Sequence, residues 1–180
     1  MWMVDKHGFN MINNLIVRYI LQEELDDVML EKIIALKQQH WNYTRDSHKQ
    51  WIDENLYKNE FHLCVELSTG QIIAYLNVVN LEVFCNEKQT EFLGVGNVCV
   101  DKMFSGKGLG LLLIQIVDFF IRQIGKPAVL LCRKNLSEFY NKAGWHEFYG
   151  KTFLLGRLYS GGVFLNYNSD AAVFHIQRNF

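Results

Sequence analysis

The stretch from Asn97 to Ile114 (NVCVDKMFSGKGLGLLLI) constrains this chain more than any other. It reads as a strand, a short polar turn carrying glycines at 106, 108 and 110, and a long apolar helix. Glycine at the point where a turn becomes a helix adopts φ > 0 without a Cβ penalty and lets a backbone approach a ligand closely. The first N–H groups of the helix have no intrahelical partners and lie at the positive end of its dipole. Such a turn is an anion site, and a pyrophosphate is the ligand it fits. A helix this apolar must also be covered by a sheet, so the motif demands a strand before it and another after it. The run Ala128–Cys132 (AVLLC), beyond Gly125 and the single proline, Pro127, supplies the second strand. Together they form a right-handed βαβ crossover.

The rest of the chain reads as antiparallel strands that lead into this crossover. Leu15–Leu21 is a β-branched and aromatic first strand. Asp26 and Asp27 open a helix with apolar positions at Val28, Leu30, Ile33, Ile34 and Leu36, running to about Trp41. Asp46 and Ser47 are candidate caps for a second helix near 47–57, with Trp51, Ile52 and Leu56 as its buried side. Strands at 61–67 and 71–84, joined by Ser68-Thr69-Gly70, form a hairpin, and a third strand runs from about 90 to 100. Gly94 and Gly96 mark a bulge or a close approach in that strand. A short helix through Lys142, capped by Asn135 or Ser137 and ended by Gly144, precedes strands at 145–155 and 162–167. The fold class is α+β, a mixed α/β domain spanning 1–180, with an N-terminal arm (1–13) and a C-terminal tail (168–180).

Composition narrows the function classes. Aromatics at 14% and apolar residues at 49% indicate a folded core. A net charge of −1 and the lack of a basic stripe argue against nucleic acid or an anionic membrane as partner. The charge is unevenly placed. Residues 1–91 carry 8 basic and 14 acidic side chains, whereas residues 92–180 carry 10 basic and 5 acidic ones. A basic half around a phosphate site and an acidic half facing a cationic substrate fit this split, and so does chance. The cysteines (64, 85, 99 and 132) show no metal-ligand or CxxC spacing, so buried thiols in a reducing cytoplasm are expected, and no metal. No signal peptide or membrane-spanning run is apparent.

Two segments carry a resemblance to the GNAT superfamily of N-acetyltransferases. The superfamily's acyl-CoA signature, Arg/Gln-x-x-Gly-x-Gly/Ala after a strand, is matched by Ser105-Gly106-Lys107-Gly108-Leu109-Gly110 following Val98-Cys99-Val100. Its aromatic-Tyr-x-x-x-Gly-aromatic segment is matched by Phe139-Tyr140-Asn141-Lys142-Ala143-Gly144-Trp145. One position departs: Ser105 stands where the family has Arg or Gln.

The resemblance implies the GNAT fold, and transfer of an acetyl group from acetyl-CoA to a primary amine, with CoA as product. It implies that Ser105, Gly106, Lys107, Gly108, Leu109, Gly110 and Asn135 hold the cofactor. Val98, Cys99 and Val100 would lie along its pantetheine arm. It makes Tyr140 the general acid at the departing thiolate. For the amine side, Glu91 is the candidate base, and Asn97 a group that orients the acceptor or a water. Trp41, Tyr43 and Trp51, near Asp46, Asp53 and Glu54, would receive a small-molecule amine. A fainter similarity, to aminoglycoside 2′-N-acetyltransferases, suggests an aminosugar. A monomer or homodimer is expected. The alternatives are a non-catalytic acyl-CoA-binding sensor and a protein or peptide N-acetyltransferase. A closed aromatic pocket would favour a small molecule, and an open groove a peptide.

Overall fold

The computed structural model describes residues 15–85, 88–147, 153–155, 162–167 and 174–176. The expected arm (1–13) lies outside them. The chain begins with β1 (Leu15–Leu21), α1 (Asp27–Gln38) and α2 (Arg45–Asn55). There follow β2 (Phe61–Leu67), β3 (Ile72–Cys85), β4 (Lys88–Val100), α3 (Leu109–Ile124) and β5 (Ala128–Arg133). The last elements are α4 (Ser137–Lys142), β6 (His146–Glu147), β7 (Phe153–Leu155), β8 (Gly162–Tyr167) and β9 (Phe174–Ile176). The main path of the sheet runs β1-β2-β3-β4-β5-β8-β6. Neighbours along it are antiparallel except β4 and β5, which pair in parallel across α3. The α+β reading with one parallel crossover therefore holds, and a second parallel pair, β7 with β9, adds to it.

Several boundaries differ from expectation. Helix α1 stops at Gln38, and residues 39–41 fold back in turns whose N–H groups bond to Leu36 and Lys37 carbonyls. Helix α2 is capped by Thr44, whose side chain accepts from the Ser47 N–H, so Asp46 and Ser47 lie in the first turn. Of the strand expected at 145–155, the ends are β6 and β7, and residues 148–152 lie outside the described set. The expected tail contributes β9. Strand β3 has 14 residues and β2 only 7, so the far end of β3 overhangs. Strand β9 pairs with Val83, Phe84 and Cys85 there and covers an otherwise open edge.

Side-chain alternation assigns the two faces of the sheet. Leu63, Val65, Leu76, Val78, Leu93 and Val95 face α3 and its Leu113, Ile114, Val117 and Ile121. Cys64, Tyr75 and Cys99 face α1 and α2, packing with Leu30, Ile33, Ile34 and Ile52. Cys99 falls on the second face although Val95, four residues earlier, is on the first. The register explains it: Asn77 pairs with Gly96 and Tyr75 with Cys99, so Asn97 and Val98 together oppose Leu76. The bulge thus sits one residue beyond Gly96, on Asn97, which takes φ +52. Asn tolerates this left-handed conformation better than most residues with a Cβ. The extra residue reverses which side chains face α3 from that point on.

Candidate functional site

Past the bulge the sheet opens. Strands β4 and β5 pair only from Leu93↔Ala128 to Val95↔Leu130, yet β4 continues to Val100 and β5 to Arg133. The facing edges beyond that point carry no ladder. Asp101 N–H donates to the Ile73 carbonyl at 2.8 Å, which fixes the alternation at this end of β4. Cys99 therefore turns its backbone groups toward β3, and Val100 turns its own away from β3, into the gap. His40 Nε2 donates to the Val100 carbonyl at 2.7 Å from that side. Of the three residues expected along a pantetheine arm, Val98 and Val100 stand at the gap with side chains packed toward α3. Cys99 is spoken for on both counts, its side chain being buried against α1.

The gap ends at the glycine turn. Gly106 and Gly108 take φ +74 and +83, and Gly108 is the N-cap of α3 with no side chain bonded to the helix end. Residues 105–108 are exposed. The amides of the first turn of α3 thus lie at an accessible helix N-terminus with no acidic side chain to compete. Lys107 Nζ lies 5.2 Å from the Phe104 ring centroid, beside the same turn. Gly110 differs from its neighbours. A Cβ there would come within 3.2 Å of Phe139 Cζ and 3.6 Å of Val100 Cγ2. Its small size lets α3 seat on Phe139, so the two sequence motifs, about thirty residues apart, touch at this point.

Tyr140 follows Phe139 and is 5% exposed, packed in the core cluster that includes Cys132. Burial, reinforced by the neighbouring Cys132 thiol, pushes its phenol well above the usual 10. It stays protonated throughout the neutral range and so keeps its O–H as a hydrogen-bond donor. Asn135 is exposed on the short 3-10 turn that follows β5.

On the other face of β4, a cavity of about 370 Å³ is lined by Lys37, Trp41, Tyr43, Ser47, His48, Trp51 and Asn97. It brings together the three aromatics and the asparagine singled out from the sequence. Asn97 Nδ2 donates to Asn77 Oδ1 at 2.7 Å, leaving Asn97 Oδ1 as an acceptor. The early acids are elsewhere: Asp46 pairs with Arg45, Asp53 with Lys49, and Glu54 accepts from Gln50. Glu91 is also apart. It pairs with Lys126 at 2.9 Å and lines a separate cavity at the start of β4, about 20 Å along the strand from Asn97.

Two cavity residues escaped the sequence reading. Lys37 is 2% exposed, and its Nζ lies 4.5 Å from the Trp51 ring centroid. It occupies the next core position of α1, seven residues after Leu30 and four after Ile33, so helical spacing was the available signal. His48, four residues before the buried Ile52, repeats the pattern on α2. Burial brings the Lys37 ammonium down to about 8. Burial and the nearby Lys37 charge also lower His48, against a backbone hydrogen bond to Trp41.

The turn and the cavity share a wall. Asp101 accepts from Gln39 Nε2 at 3.0 Å, Gln71 Nε2 at 3.3 Å and the Met103 N–H at 2.9 Å, and Lys102 N–H donates to Gln39 Oε1 at 3.0 Å. Burial alone would raise the Asp101 carboxyl, but these bonds and His40 hold it below the usual range. The last turn of α1 is thereby fastened to the residues that lead into the glycine turn.

No protein-family model matches the sequence, and no curated protein does. Solved structures do match the fold. The Escherichia coli GNAT family N-acetyltransferase YhbS, determined in complex with CoA, superposes with a TM-score of 0.64 at 16% identity, over 91% of this chain and 90% of that one. Escherichia coli ElaA gives 0.64 at 16% identity, over 86% and 99%. A GNAT family acetyltransferase from Brucella melitensis in complex with acetyl-CoA gives 0.61 at 16% identity, over 92% and 96%. The chain therefore has the GNAT fold.

Proposed function

We propose that this protein is an acyl-CoA-dependent N-acyltransferase that moves an acetyl group from acetyl-CoA to the primary amine of a small molecule, by direct attack in a ternary complex. One observation carries the reading: the unpaired edges of β4 and β5 diverge toward an exposed glycine turn at the N-terminus of α3. A pantetheine arm fits the first feature and a pyrophosphate the second. Bound acetyl-CoA supplies the reactive thioester. Amides from Gly106 to Gly110, with Lys107 and the Ser105 hydroxyl, would hold its phosphates. The Val100 backbone would meet its arm, sharing the carbonyl that His40 now engages.

The volume of about 370 Å³ and the aromatic lining of the cavity favour a small acceptor. There Asn97 Oδ1 would accept from the incoming amine. Tyr140, with a phenol pushed above 10, is a weaker acid than a free thiol. It would steady the departing thiolate by donating a hydrogen bond rather than by surrendering its proton, and the proton lost by the attacking nitrogen would pass through solvent to the sulfur, so that CoA leaves as the thiol.

Isothermal titration with CoA tests the first half of this reading, and thiol release from acetyl-CoA across an amine panel tests the second. Saturable CoA binding lost in Gly108→Glu, with amine-dependent thiol release, is the expected result. Binding without turnover on any amine would favour an acyl-CoA sensor. Absence of CoA binding would overturn both readings.

A further inference from the structure

Lys37 is the unexplained group in the acceptor cavity. Among the described residues no carboxylate lies within ion-pair distance of it; Glu66, on β2, pairs instead with Arg18 and Lys32. Its neighbours are the Trp51 ring, the Cys99 thiol, and His48 and His62, whose basicity its charge lowers. His62 is engaged, with Tyr75 on one ring nitrogen and Gln22 on the other. Among the described residues His48 Nε2 is buried without a partner. So is Asn77 Nδ2, on the side chain that holds Asn97 in place. A buried ammonium with no counter-charge is costly, and buried polar groups left unpaired in a native structure call for an explanation. The cavity wall therefore presents an unneutralised cation and the unfilled His48 Nε2, with Asn77 Nδ2 unfilled just behind Asn97, while Asp46, Asp53 and Glu54 are bound outside it.

We propose that Lys37 forms an anion subsite in the acceptor cavity, and that the acceptor is an amine which also bears a carboxylate, of amino-acid size, with its carboxylate on Lys37 and its apolar part against Trp41 and Trp51. This deepens the small-molecule reading above and rests on it for the amine. It replaces the expectation that the early acids beside the aromatics receive a cationic amine. A cavity of about 370 Å³ lined by three aromatic rings accommodates a molecule of that class.

The test separates the subsite from catalysis by using a probe that cannot react. Phenylacetate and phenylacetamide differ in charge and hardly in shape, and their binding to the wild-type protein can be measured by titration calorimetry. A charge-assisted contact predicts that phenylacetate binds about 10- to 100-fold tighter than the amide. That preference should vanish in Lys37→Met and persist in Lys37→Arg. Equal affinity of the two probes for the wild-type protein, a comparison that needs no variant to fold, overturns the proposal. So does a preference that Lys37→Met retains.

In parallel, thiol release is compared between amino acids and their amides. Turnover of amides as efficient as that of the acids sinks the subsite and leaves the transferase reading standing. Lys37-dependent phenylacetate binding with no turnover on any amine sinks the transferase reading and leaves the subsite.

Discussion

Lys37→Met should make the ligand-free protein more stable, although it removes a side chain from the core. The ammonium of Lys37 falls from its ordinary 10.5 to about 8 because burial penalises its charge. At 1.36 kcal/mol per pH unit, this depression is a destabilisation of about 3 kcal/mol at pH 7. Methionine fills a similar unbranched volume and carries no charge, so it removes that penalty. It also removes the contact over Trp51, worth about 1 kcal/mol, leaving a net gain of about 2 kcal/mol. For a chain of this size the melting temperature should rise by roughly 4–8 °C.

The pH dependence distinguishes this cause from better packing. Because the folded-state value lies below the unfolded one, the unfolded chain binds more protons between about pH 8 and 10.5. Wild-type stability then rises with pH across that window relative to the variant, and the advantage of Lys37→Met fades toward pH 10.5. Urea denaturation of both proteins at pH 7 and at pH 10.5 reads the difference directly. A variant less stable than wild type at pH 7, or a difference that does not change with pH, would refute the reasoning. The same lysine would thus cost stability when the cavity is empty and contribute affinity when an anion fills it.

Four further substitutions probe the proposed cofactor side. Gly108→Glu and Gly110→Glu should each abolish CoA binding by calorimetry. The first forces a side chain onto φ +83, and the second drives a Cβ to 3.2 Å from Phe139, which should also cost roughly 1–3 kcal/mol in denaturation. Tyr140→Phe should lower turnover about 10- to 100-fold with little change in CoA affinity, since only the hydrogen bond to the departing sulfur is lost. Unchanged turnover would remove Tyr140 from the mechanism. Ser105→Arg, on an exposed position beside the turn, should tighten CoA binding by roughly tenfold, and weaker binding would show that the signature is misplaced on these residues.

Much of the architecture was legible because it rests on local pattern. The period-2 strands, the stripe of α3, Gly125 at its end and the glycine turn all follow from backbone requirements that single residues announce. What stayed hidden depended on partners distant in sequence. Asn97 hid the bulge because the adjacent glycines were the conspicuous candidates, yet Gly94 and Gly96 stay in the regular ladder opposite Val79 and Asn77. Strand β9 has three residues and exists because β3 outruns β2. The aromatic half of the cavity was readable as Trp41, Tyr43 and Trp51. Lys37 was not, since a lysine in an amphipathic helix reads as solvent-facing unless helical spacing is allowed to overrule residue type.

The bulge links these outcomes. Were β4 regular, Asn97 would share the α3 face with Leu93 and Val95. The inserted residue puts Asn97 on the cavity side and swings Val98 and Val100 toward α3. It also coincides with the end of β4–β5 pairing, so one irregularity sits where the gap opens and aims a polar side chain into the cavity. The two compartments then meet across a single strand, and the Gln39–Asp101 and His40–Val100 contacts fasten the end of α1 to that strand. Pantetheine bound along β4 would compete with or share the Val100 carbonyl that His40 engages. Occupancy of the gap is thereby coupled to the last turn of α1, the turn that carries Lys37 and leads into Trp41. Under the proposed function that geometry predicts ordered binding, cofactor before acceptor, because the cavity wall is completed by the strand on which the cofactor would lie; equal acceptor affinity with and without CoA, by calorimetry, would refute it.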